Sequence, residues 1–198
     1  MKQKSSSTMF AMKHFATAAL MLSFGVEVYG QPGQVNITVS GTAAASTISL
    51  RPDAPTAEYL LAGNGALGQF DLRAVSVSIP APQPPSTCSG TNKVYGSAVA
   101  GGGVFRFADG SLLNVYLTGG GDCVDFSARQ ALCTRILQIT GGTGRFRNAS
   151  GGTVTLTMTV VPVLGDASNN PVFYAVTGAV TGTVPGGASD EGNQDRQP

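Results

Sequence analysis

The side chains able to do chemistry in this chain are few, and what is missing narrows the field most. The single histidine, His14, falls in a segment expected to be removed on export. Without it neither a Ser-His-Asp nor a Cys-His arrangement can be assembled, and the usual histidine-rich zinc and non-haem iron sites are excluded. Catalysis would have to rest on carboxylates, arginine, tyrosine or lysine. The candidate carboxylates are Glu58, Asp71, Asp109, Asp122 and Asp125. Asp71 and Arg73 stand two apart in a strand-like run, so they share one face, either as a charge pair inside a barrel or as a solvent-facing pair. Arg106, set between Phe105 and Phe107, either snorkels outward or points into a pocket to grip an anion or enol. With Tyr95 and Tyr116 these are the groups that could stabilise developing negative charge. Asp109 reads as a turn residue. Asp122 and Asp125, flanking Cys123, read as solvated loop charges, with a calcium or ligand role as the alternative.

Cys88, Cys123 and Cys133 are the only cysteines. Export into an oxidising compartment favours a disulfide over a catalytic thiol, and three pairings are open. The short segment between Cys123 and Cys133 favours that bridge, worth about 2–4 kcal/mol in the loop-entropy model. Cys88 is then left in a proline-rich loop, as an unpaired or alternatively paired residue rather than a reactive one. Gly141-Gly142-Thr143-Gly144 invites a phosphate-loop reading, but a Thr-rich strand follows it instead of a helix, and no Gly-Lys-Ser/Thr is present. The glycines are expected to allow a tight turn or bulge.

The elements that must position these groups are strands. Residues 1 to 30 read as a secretory signal, with Lys2, Lys4 and Lys13, an apolar run from Phe15 to Val26, and a small-residue site ending at Gly30. That run is short of the roughly 20 residues needed to span a bilayer. Cleavage there removes Lys2, Lys4, Lys13 and Glu27, leaving nine basic and ten acidic residues. No basic excess remains to neutralise a phosphate backbone, so no nucleic-acid partner is expected, and none is expected at a membrane surface. Residues 31 to 184 then form one domain, extracellular or periplasmic, and the polar stretch from 185 to 198 is expected to be a disordered tail.

Short apolar or alternating runs recur about every ten residues, separated by Gly, Asn, Asp or Pro, as in an antiparallel sandwich or barrel. Eight or nine strands are expected from runs near 35–40, 46–51, 57–62, 67–79, 93–99, 103–108, 111–118, 133–140, 153–163 and 172–184. Thr153 to Val160 shows the clearest period of two. Asp109-Gly110 predicts a hairpin. The run Pro80-Ala81-Pro82-Gln83-Pro84-Pro85 predicts a surface excursion across residues 80–86.

Gly141-Gly142-Thr143-Gly144-Arg145-Phe146-Arg147-Asn148-Ala149-Ser150-Gly151 resembles the Gly-Gly-Thr-Gly-x-Phe-Arg-x-Ala-x-Gly segment of dirigent proteins and the related allene oxide cyclase barrels. The similarity covers roughly residues 94 to 184, and with the export signal it looks like a bacterial secreted relative. The resemblance implies an all-β, antiparallel eight-stranded calycin-like barrel with a ligand cavity, associated as a trimer. Relatives steer radical coupling or cyclise an epoxide with acidic, arginine and tyrosine side chains inside the cavity. Only Gly141 to Gly151 transfers residue by residue, with Gly141, Gly142, Thr143, Gly144, Phe146 and Gly151 as a structural turn.

Three functions follow as expectations. The first is a secreted barrel binding a small, largely apolar molecule, with no cofactor and no metal. The second is an isomerase or coupling-guide enzyme working through Arg106, Asp71, Arg73 and Tyr95 or Tyr116. The third is a self-associating surface protein.

Overall fold

The computed structural model describes residues 33–82 and 88–185. The expected signal segment, the tail beyond Pro185 and residues 83–86 of the proline-rich excursion lie outside the described residues. Eight strands follow in chain order: β1 (Gly33–Ala45), β2 (Thr56–Gly65), β3 (Gly68–Pro80), β4 (Lys93–Phe107), β5 (Leu112–Asp125), β6 (Gln130–Gly142), β7 (Thr153–Gly165) and β8 (Pro171–Val184). Each pairs antiparallel with the next, and β8 pairs with β1 from Gly33↔Val184 to Ala44↔Phe173, which closes the barrel and removes every sheet edge.

Period-two alternation sorts the side chains. In β7, Val154, Leu156, Met158 and Val160 are buried inside while the intervening threonines face outward. In β4, Phe105 and Phe107 point inward, so Arg106 between them must point out.

Two of the expected strands change. Residues 46–51 form no strand, because the neighbouring hydroxyls take up their amides: Ile48 N–H donates to Ser46 Oγ and Leu50 N–H to Thr56 Oγ1. β1 already has β2 and β8 on its two sides, so no ladder position is left for them. The runs near 93–99 and 103–108 are one strand, β4, whose register against β3 shifts between Val77 and Ser78. A second irregularity lies in β5, between Leu117 and Gly119. Gly120 follows with φ +121°, and a methyl group there would collide with the Thr134 carbonyl. Only glycine lets the strand bend at that point.

The two barrel ends differ. Where β3, β5 and β7 begin, the interior is filled by Phe70, Phe105 and Phe107, with Phe146 inserted from the turn after β6. The glycine-rich segment supplies that insertion. Gly144 sits at φ +58° against Ser111, where a side chain would collide, and opens a single 3₁₀ turn, Gly144–Phe146. Phe146 is fully buried 4.6 Å from the Phe107 ring. Arg145 stacks over both rings, at 4.7 and 4.8 Å, and donates to the Leu67 carbonyl. Thr143 Oγ1 accepts from Leu112 N–H, and Gly151 turns the chain into β7 at φ +79°. The Asp109–Gly110 hairpin joins β4 to β5 at this same end, with Asp109 Oδ1 accepting from Ser111 N–H. Among the described residues no helix is long and apolar enough to cross a membrane.

Candidate ligand cavity

At the opposite end, where β2, β4, β6 and β8 begin, the interior is not filled. The reason is a taper in side-chain size along the inward-facing rows. In β6 the row runs Ile139, Leu137, Arg135 and then drops to Cys133 and Ala131; in β1 it falls from Val35, Ile37 and Val39 to Ala43; in β2 it drops from Leu61 and Tyr59 to Ala57. Strands that pack shut at one end therefore leave a cavity of about 730 Å³ at the other. That lies within the range for small-molecule sites, roughly 300–1,000 Å³. Its walls are alanines of β1, β2 and β6 together with Val124, Val160, Pro55 and Pro162. Phe126 and Arg129, both exposed, stand at the mouth.

The floor between cavity and packed core is polar and built around Arg135, which is 4% exposed. Nε donates to Ser76 Oγ at 3.1 Å. Nη1 donates to Asp122 Oδ1 at 2.6 Å and to the Thr134 carbonyl at 3.0 Å, and Nη2 donates to Asp122 Oδ2 at 3.0 Å and to Tyr59 Oη at 3.1 Å. All five guanidinium N–H groups therefore have acceptors, and the grip on Asp122 is bidentate. Ser78 Oγ adds a bond to Asp122 Oδ2 at 2.5 Å.

Burial alone would raise the Asp122 carboxyl, but the Arg135 fork, with Cys133 and Ser78 donating, holds it below the usual carboxylate range. Burial pushes the Cys133 thiol well up, and the adjacent Asp122 charge pushes it further, so this cysteine is a neutral wall residue. Burial likewise raises Tyr59. Burial would lower Arg135, but Tyr59 and Asp122 more than reverse that and keep it charged.

The residues singled out from the sequence are not brought together here. Asp71, Arg73 and Arg106 are exposed on the outer surface of β3 and β4, with Asp71 and Arg106 opposite each other in register. Tyr116 is 46% exposed and donates to Gln138 Oε1 on the outer face. Tyr95 pairs with Cys123 and lies over Gly121, also outside. None of the five lines the cavity: of the alternatives left open, Asp71 and Arg73 take the solvent-facing one and Arg106 points outward. Asp125 accepts from Ala128 N–H in the β5–β6 turn and pairs with Lys93 at 3.4 Å. Asp122 is a buried ion-pair partner and not a solvated loop charge. Among the described residues no group of three or more His, Cys, Asp or Glu could hold a metal ion.

The expected Cys123–Cys133 bridge is also corrected. Cys133 stands opposite Asp122 in register and faces the interior, whereas Cys123, the next residue of β5, faces out and stands opposite Leu132. Nearness in sequence is defeated by this parity, and Cys123 bonds instead to Cys88, with 5.4 Å between Cα atoms, while Cys133 is free and buried.

Tyr59 and Arg135 went unrecognised in the sequence. The signal for Arg135 was present: in Leu132-Cys133-Thr134-Arg135-Ile136-Leu137 it occupies the same alternate row as Cys133 and Leu137, the buried one.

The chain is thus a closed, all-β antiparallel barrel with one open, apolar end. Among solved structures it is similar to a dirigent protein described as a pterocarpan synthase, with 12% identity, a TM-score of 0.36, and coverage of 84% of this chain and 99% of that one. No protein-family model and no curated protein matches it.

Proposed function

We propose that this protein is an exported barrel that binds a small, largely apolar molecule in its open end. The observation that carries this reading is the cavity of about 730 Å³, walled by alanine, valine and proline over a polar floor built on the Arg135–Asp122 pair. A cavity without a role would be expected to fill, since large side chains at Ala57 and Ala131 would add buried apolar contact. The Cys88–Cys123 disulfide and the signal-like pattern of residues 1 to 30 support export. A coupling-guide or isomerase role through Arg106, Asp71, Arg73, Tyr95 and Tyr116 loses its support, because those side chains lie outside the cavity.

The test is a thermal melt followed by circular dichroism, with and without naphthalene as a neutral apolar probe. Binding to the folded state alone raises the melting temperature in proportion to the logarithm of probe concentration. The rise should shrink in Ala57→Phe/Ala131→Phe, a partly filled variant whose two rings take up space where the probe would sit. An identical rise in the wild type and the partly filled variant would place the probe elsewhere and overturn the reading.

A further inference from the structure

We propose that the cavity selects neutral molecules carrying an oxygen acceptor over their carboxylate counterparts, with Tyr59 as the donor that recognises them. This inference rests on the cavity being a ligand site.

An arginine at the base of an apolar pocket ordinarily marks an anion site. Here that role is closed. Every N–H of Arg135 is already taken by Ser76, Asp122, Thr134 and Tyr59, and its charge is matched by the bidentate carboxylate. The cavity wall is formed by Asp122, Tyr59 and Cys133, while Arg135 lies behind them. An incoming carboxylate would therefore meet the oxygen-bearing side of an ion pair and a neutral thiol. It would lose its hydration with no donor arginine to replace it. The other cation at the cavity is Arg129, exposed at the mouth where solvent and salt screen it, and Asp125 stands beside it on the wall.

Asp122 is no better as a partner for a ligand's donor. Its two oxygens already receive Arg135 twice and Ser78 once, with Cys133 donating as well. On the floor of the cavity what remains is the phenol of Tyr59, since the amide donors Gln130 and Asn169 belong to the first residue of β6 and the β7–β8 turn. The phenol oxygen accepts from Arg135 Nη2 and shares a hydrogen bond with the Ser76 hydroxyl, which already accepts from Arg135 Nε, so the Tyr59 proton is the donor on the floor that an entering oxygen can compete for. A phenol held by a cation behind it is a strengthened donor, and a ketone, ether or ester oxygen entering over the alanine walls would take that proton.

The test is equilibrium dialysis of the purified full chain against three probes of one shape at pH 7: naphthalene, 2-acetylnaphthalene and 2-naphthoate. One hydrogen bond in a desolvated site predicts that 2-acetylnaphthalene binds about ten-fold more tightly than naphthalene, and 2-naphthoate about ten-fold or more weakly than the ketone. Tyr59→Phe should bring the ketone down to the affinity of naphthalene, read as the ketone-to-naphthalene ratio within the variant. Asp122→Asn leaves the Arg135 charge unmatched and should raise 2-naphthoate by about ten-fold relative to the ketone. If Asp122→Asn does not fold, Tyr59→Phe carries the test alone. A wild-type protein that binds 2-naphthoate as well as the ketone overturns the proposal, as does a ketone-to-naphthalene ratio unmoved by Tyr59→Phe. If naphthalene binds and the ketone gains nothing, the cavity stands and the selectivity falls; if none of the three binds, both fall.

Discussion

At the end of the barrel where β3, β5 and β7 begin, four phenylalanines fill the interior and the exposed Arg145 stacks over two of them. At the other end, alanines at the same depth from the rim leave it empty. The strands, their antiparallel pairing and their inward alternation are common to both. The difference lies in residue size within each inward row and in what the connecting turn delivers. The turn after β6 inserts Phe146, whereas the turn between β5 and β6 leaves Phe126 outside, 64% exposed. The closed end is thus organised for stability and the open end for access, with the Arg135–Asp122 pair as the boundary between them.

Substitutions that act differently at the two ends test this contrast. The largest effect is expected from Phe146→Ala, which empties the closed end and should cost about 4 kcal/mol in urea unfolding. A loss below about 1 kcal/mol would mean that the closed end is not where stability resides. Asp122→Ala, which leaves Arg135 buried and unpaired at the boundary, should cost about 3 kcal/mol by the same measurement, while a shape-matched Arg135→Met/Asp122→Leu double replacement should cost much less. Replacing both Cys88 and Cys123 by serine removes a closed loop with a sequence separation of 35 residues. It should lower stability by about 3–4 kcal/mol, whereas Cys133→Ser should leave the disulfide intact in a non-reducing mass measurement.

The boundary also sets a pH dependence. Asp122 is held below its ordinary value of 3.8 in the folded protein, so its contribution is fully present above about pH 4 and is lost as pH falls through the folded value. Cys133 is shifted the other way from its ordinary value of 9.0, so stability declines as pH rises past that point, because the unfolded thiol ionises first. Melting temperatures should fall on both sides. Asp122→Asn should flatten the acid limb and Cys133→Ala the alkaline one, and limbs unchanged in these variants would assign the titration elsewhere. The smallest effect on stability is expected from Ala131→Leu, within about 1 kcal/mol, since it grows into an existing space without forcing other side chains to move. A cost of several kcal/mol would show that the open end is more tightly packed than its geometry indicates.

The residues that were legible in advance are those governed by local rules. Thr153 to Val160 declares a half-buried strand by alternation alone, and Asp109-Gly110 declares its hairpin. The glycines of 141–151 mark a backbone that needs positive φ, which Gly144 and Gly151 supply. For Arg106 the aromatic neighbours leave a pocket and solvent both open, and the alternation that buries Phe105 and Phe107 decides for the outward direction. The role of Arg135 is not legible because a charged residue within an apolar row has no partner in the local sequence: Asp122 is brought to it by the register of β5 on β6, and Tyr59 of β2 is reached only across the barrel.

The cysteines show the same division. Sequence spacing favoured Cys123 with Cys133, but the facing direction of a strand residue depends on register, and a single-residue offset reverses it. By itself the sequence determined that the chain is all-β, carries no histidine in its strands and has a glycine turn between two of them, because each of these follows from composition, periodicity or backbone sterics. The tertiary structure alone decided which cysteines pair, which charged groups are buried and which end of the barrel stays open. Those outcomes depend on contacts between residues far apart in the chain, such as Tyr59 with Arg135, and on how side-chain volumes add up around a closed ring of strands.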